Sequence, residues 1–242
     1  MPACMNQYAS ISRRSAVSLL ALAGLPAIAA EPVFVSPERW AIYNERQAAR
    51  AREILSRGPT EAERRAVAPF LRDGICSAAA LYTLFPRGHE KPFAQVVRRL
   101  YDHKFLMPGG MWMTNILEVL RQLQMPATQY GRSNLDFDAL VQAIDSDRAV
   151  FLAGPTRKLI ELQLEPGEKL TDPSSLNNSY HVVRLSALRR DTRGALSHVA
   201  LYDVNRDSVG WVPAQELAGI YSWLPWDARG YGAIVTNAPV PF

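Results

Sequence analysis

Apolar positions in residues 36–57 recur at helical spacing: Trp40, Ile42, Tyr43, Ala48, Ala51, Ile54 and Leu55 stand among arginines and glutamates. One such stripe predicts a surface helix packed on one side. Ser36-Pro37-Glu38 opens it, with proline in its first turn, and Gly58-Pro59 ends it. Thr60-Glu61-Ala62-Glu63 is a capping box that starts a second helix, running to about residue 71. A third helix is predicted from about residue 74 to 85, stopped by Pro86-Arg87-Gly88. Residues 92–105 repeat Phe93, Val96, Val97, Leu100 and Tyr101 at i, i+3, i+4. Beyond the Pro108-Gly109-Gly110 loop, Thr114 is placed to cap a helix bearing Ile116, Leu117, Val119, Leu120 and Leu123. Residues 125–130 read as a short extended piece, and residues 134–144 as a small helix.

The pattern then changes. Ala149-Val150-Phe151-Leu152-Ala153 is a continuous apolar run ending in Gly154-Pro155, the signature of a buried strand. Residues 155–179 read as irregular, with Pro-Gly and Asp-Pro turns. Strands are predicted over residues 180–189, 195–204, 210–213 and 232–236, the first two joined by a hairpin turn at Asp191-Thr192-Arg193-Gly194. Helices in the first half and antiparallel strands in the second make the fold class α+β. No internal repeat or low-complexity linker divides the chain. The two helices ahead of residue 71 are read as a packed N-terminal extension over residues 31–70, in preference to a pro-segment laid over a site. Residues 71–242 are read as the main domain.

The N-terminus follows a different rule. Ser12-Arg13-Arg14-Ser15 precedes an Ala/Leu-rich run from residue 16 to 30, and Glu31-Pro32 follows. A basic region, an apolar run and small residues at its end spell a secretory signal peptide over residues 1–30. The run is too short for a comfortable membrane anchor. Its Ser-Arg-Arg start resembles a twin-arginine export signal. Ser15-Ala16-Val17 lacks the usual Phe-Leu, which keeps the general secretory route open. Cleavage after Ala29 or Ala30 removes Cys4 and leaves one cysteine, Cys76, so no internal disulfide forms. The expected location is periplasmic or secreted, with no membrane span after signal removal. The chain has 242 residues, 48% of them apolar and 21% charged, with a formal net charge of +4. Two of those charges lie in the leader, and no Lys/Arg run carries interleaved aromatics, so a nucleic-acid partner is not expected.

Cys76 lies in Asp73-Gly74-Ile75-Cys76-Ser77-Ala78-Ala79-Ala80, a turn running into a helix. Unpaired N–H groups and the helix dipole at such a start favour a thiolate. The bland alternative is a buried, inert cysteine. A thiol hydrolase also needs an imidazole and a group that orients it. His89 and His103 lie in polar, helix-adjacent contexts and read as exposed. His181 opens a strand, and Asp203 lies near the end of the paired strand, so the hairpin brings both to its open end. Asn205, two residues on, falls on the same face as Asp203 by strand alternation and would serve instead. His198, within the second strand, is the competing base. No HExxH, CxxC or phosphate-binding glycine loop is present, so neither a metal site nor a cofactor is expected.

This order resembles a known group. The Asp-Gly-x-Cys helix start and the helix ending Leu120-Arg121-Gln122-Leu123-Gln124-Met125 resemble papain-like cysteine peptidases of the bacterial C39-like group. So do the small helix and strand over residues 135–152, Tyr180-His181-Val182-Val183 and Leu201-Tyr202-Asp203. The resemblance implies a papain-like fold, with the cysteine helix packed on a C-terminal antiparallel sheet. It further implies Cys76 as nucleophile, His181 as base and Asp203 as orienting acid, acting on a peptide or protein substrate such as cell-wall peptide. Residues 66–75 lack the glutamine that such enzymes usually place ahead of the cysteine as an oxyanion donor. Gly74-x-Cys76 also resembles transglutaminase-like domains. Ser197-His198-Val199-Ala200-Leu201-Tyr202 resembles the histidine strand of NlpC/P60-type wall amidases, although the gap from Cys76 is long for them. The expected function is an exported thiol hydrolase cleaving peptide or isopeptide bonds. The alternatives are a wall amidase or a catalytically silent binding domain, whose recognition surface would be Trp211, Tyr221, Trp223, Trp226 and Tyr231.

Overall fold

The computed structural model describes residues 36–67, 74–86, 91–131, 136–170, 180–223 and 232–240. The leader and Cys4, the Arg72-Asp73 turn, His89, Trp226 and Tyr231 lie outside the described residues. The elements run α1 (Pro37–Arg57), α2 (Glu61–Val67), α3 (Cys76–Tyr82), α4 (Phe93–Asp102), α5 (Met113–Gln122), β1 (Ala127–Tyr130), α6 (Phe137–Asp145) and β2 (Val150–Pro155). They continue with α7 (Thr156–Glu161), β3 (Tyr180–Arg190), β4 (Leu196–Tyr202), β5 (Gly210–Pro213), α8 (Ala214–Trp223) and β6 (Gly232–Thr236). The class is α+β, around one six-stranded antiparallel sheet of order β1-β6-β2-β3-β4-β5.

Strand periodicity divides the core between the two faces of that sheet. Phe151, Ala153, Val182, Tyr202 and Ile234 pack with side chains of α3, α4 and α5. Their neighbours Val150, Leu152, Val183, Leu185, Leu201 and Val235 pack on the opposite face with Leu140, Ile144, Leu159, Leu217 and Tyr221. A sheet covered on both faces needs apolar residues at odd and even positions alike. That is why residues 149–153 form an unbroken apolar run.

The capping box at Thr60 forms as read: Glu63 accepts from the Thr60 N–H at 2.8 Å, and the Glu63 N–H donates to the Thr60 hydroxyl at 3.3 Å. α1 is tied to the sheet by hydrogen bonds as well as by its stripe. β2 pairs β3 only over residues 180–185, so the N–H and C=O groups further along β3 have no strand on that side among the described residues. The Asn44 and Gln47 side chains take them. Gln47 Oε1 accepts from the Leu188 N–H at 3.1 Å, and Asn44 Oδ1 from the Arg190 N–H at 2.9 Å, while the Asn44 amide donates to the Arg190 carbonyl at 2.8 Å.

Several expectations need correction. The stretch read as irregular after Pro155 begins with α7, and α8 was not anticipated. In both, the helix starts directly from a strand end, at Thr156 and Ala214, so no loop composition marks the boundary. Thr114 does not cap α5, because the N-cap is Trp112, without a side-chain cap. Of the five aromatics at the aromatic-rich end, two have described side chains. Tyr221 is buried, and Trp211 is half-buried beneath the Arg189 guanidinium, 4.4 Å from its ring centre.

Candidate active site

Cys76 is the first residue of α3. The backbone leading to it is held by a close approach. Gly74 has φ +85°, and a Cβ there would fall 2.1 Å from the Gly110 nitrogen. Only glycine permits both the angle and the contact. The Gly109-Gly110 turn is itself pinned by two backbone bonds between Met107 and Gly110, at 3.1 and 2.9 Å. At the other end of α3, the Arg184 guanidinium from β3 donates to the Thr83 carbonyl at 3.0 Å and to its hydroxyl at 2.7 Å.

His181 is the second residue of β3 and is buried. Asp203 follows β4 directly and is 1% exposed. In the hairpin, Arg184 stands opposite Tyr202 and Leu185 opposite Leu201, so both residues come to the open end. His181 Nε2 lies 2.8 Å from Asp203 Oδ1. The Asn205 N–H donates to the same oxygen at 2.9 Å, and the Gln163 amide donates to Oδ2 at 2.9 Å. Asp203 thus begins a turn, closed by the Arg206 N–H on its carbonyl at 3.0 Å.

With Nε2 on the carboxylate, Nδ1 is the imidazole nitrogen left for Cys76, whose thiol is near enough to feel the His181 charge. Burial pushes the half-buried Cys76 thiol up. The hydrogen bond and charge of His181, with N–H groups of Val182 and Ser77, more than offset it and lower its pKa. Burial alone would depress His181. The Asp203 charge and hydrogen bond, and then Cys76, instead raise it well above the ordinary imidazole range. Asp203 follows the same logic in reverse: burial opposes its charge, and His181, the Asn205 N–H and the Gln163 amide lower its pKa. All three shifts favour one charge state: thiolate, imidazolium and carboxylate.

Cys76, His181 and Asp203 are therefore brought together. His198 is not: it pairs with Arg189 near the closed end of the hairpin, and its Nδ1 is buried without a hydrogen-bond partner among the described residues. His103 is exposed at the C-cap of α4. The Asn205 side chain is exposed, and only its backbone reaches the site, because β4 ends at Tyr202 and strand alternation does not extend to residue 205. Gln163 was not anticipated. Its signal was present, since Leu159 and Gln163 share a helical face at i, i+4, but the segment reads as loop. The chain matches no protein-family model and no curated protein sequence. No helix among the described residues is long and apolar enough to cross a membrane.

Proposed function

We propose that the protein is an exported thiol hydrolase of papain-like fold that cleaves peptide or isopeptide bonds. The observation that carries this reading is the buried His181–Asp203 contact of 2.8 Å beside a thiol whose pKa is lowered. The Cys76 thiolate attacks the substrate carbonyl carbon, and the carbonyl π electrons move to oxygen. The His181 imidazolium then protonates the departing amine as the C–N bond breaks, leaving a thioester on Sγ. Neutral His181 next takes a proton from water, which attacks the thioester. Collapse releases the acid and restores the thiolate and imidazolium. Asp203 holds the imidazole tautomer and stabilises its charged form throughout. The N–H groups at the start of α3 are the donors available to the oxyanion, in place of an upstream glutamine. The leader read over residues 1–30 makes cell-wall peptide or another exported protein the expected substrate class.

Cys76→Ala should abolish hydrolysis of a peptide library or of cell-wall peptide while changing stability by no more than about 1 kcal/mol. Activity that survives the change would sink the proposal. The missing upstream glutamine favours one second reading, a binding domain with a silent site. A wild-type protein that retains a peptide partner but never turns it over, at any pH, would select it.

A further inference from the structure

We infer that Gln163 is a positioning residue that fixes the Asp203 carboxylate so that its other oxygen meets His181. The inference rests on the thiol-hydrolase reading of the same site. Gln163 lies two residues past α7 and is buried. Its Nε2 uses both hydrogens: one goes to the Leu159 carbonyl and one to Asp203 Oδ2, each at 2.9 Å. A flipped amide would turn Oε1 toward two acceptors at once, so the orientation is set by its surroundings. Oε1 is buried and has no hydrogen-bond partner among the described residues. An orphaned buried acceptor is costly. What the amide supplies here that an apolar side chain would not is its two donated bonds, one of them to the Asp203 carboxylate.

Two further features hold this arrangement. The Gln163 carbonyl accepts from Arg206 Nη2 at 2.7 Å, and the Arg206 guanidinium is paired with Glu168 at 3.1 Å. Arg206 closes the turn that Asp203 begins, so the turns bearing Gln163 and Asp203 are braced against each other. Gly210, at the start of β5 opposite Leu201, leaves the space the amide occupies. A Cβ at residue 210 would stand 2.6 Å from Gln163 Oε1. The tip of a flexible side chain moves away at little cost, but in moving it leaves Asp203.

The test uses three variants of the whole protein and two readouts, the NMR titration of His181 and the pH profile of Cys76 alkylation by iodoacetamide. Gln163→Met removes the donor. Gly210→Ala displaces the donor without deleting it. Both should lower the His181 pKa by about one unit and slow alkylation at pH 6 by about tenfold, with Gly210→Ala keeping the wild-type unfolding midpoint. Gln163→Glu keeps a donor only while its carboxyl is protonated. Its alkylation should approach the wild-type rate near pH 5 and fall below it, by up to about fourfold, at pH 8, a pattern that loss of packing does not produce. Superimposable His181 titrations in wild type, Gln163→Met and Gly210→Ala would overturn the inference. A wild-type thiol of ordinary reactivity, with a His181 titration that still drops in Gln163→Met, would count against the hydrolase and uphold the positioning role.

Discussion

A carboxyl group as buried as Asp203 is ordinarily driven toward its neutral form. Here three donors converge on it, so the charged form prevails, and His181 is held charged in turn. The direction of each shift sets a pH window. The His181 pKa is raised, to about 10, so its contribution to stability is fully present below its unfolded value, about 6.5, and is lost as pH rises through 10. The Asp203 pKa is lowered, so its contribution is present above about 3.9 and is lost as pH falls through the folded-state value. In urea unfolding, the stability difference between wild type and Asp203→Asn should be largest from about pH 4 to 6.5 and shrink steadily toward pH 10. A difference independent of pH would show that the pair carries no folded-state ionisation.

At the scale of elements, β3 organises the site. It bears His181 at one end, and three residues on it bears Arg184, which grips the C-terminal end of the cysteine helix at Thr83. A cation at a helix C-terminus also complements the helix dipole. Arg184→Met leaves the Thr83 carbonyl without this donor and should cost about 1–3 kcal/mol in unfolding free energy, slowing Cys76 alkylation as α3 loosens. A stable variant with wild-type alkylation would separate β3 from the alignment of α3. The unpaired far end of β3 predicts a second effect. Gln47→Ala leaves the Leu188 N–H unsatisfied and should cost a similar amount, about 1–3 kcal/mol, with the alkylation profile unchanged. The strands of the hairpin were legible because turn chemistry at Asp191-Gly194 and apolar runs agree with each other. α7 and α8 were not, because each follows a strand through a single proline, Pro155 or Pro213, with no capping Ser, Thr, Asp or Asn before it. With α7 unread, Gln163 could not be placed beside Asp203.

At the scale of the molecule, the sheet is covered by helices on both faces, and the site sits where a helix start, a strand start and a strand end meet. Residues from three distant segments converge there because the antiparallel order places β3 between β2 and β4, with α3 on one face and α7 on the other. The sequence carried the pairing of His181 with Asp203 through near-symmetry about one hairpin turn, a local relation. It carried no equivalent for Cys76, whose approach depends on Gly74 meeting a glycine turn more than thirty residues away. The His181–His198 choice turned on register: His198 stands near the closed end of the hairpin, a position that strand composition does not encode. Everything in the proposed chemistry depends on His181 holding Cys76 as a thiolate. The pH dependence of Cys76 alkylation tests this, compared with His181→Ala and His198→Ala. Alkylation should be rapid well below the ordinary thiol range near pH 8.5, at least tenfold slower at pH 6 in His181→Ala and unchanged in His198→Ala. A wild-type thiol that titrates like free cysteine, or one that depends on His198, would contradict it.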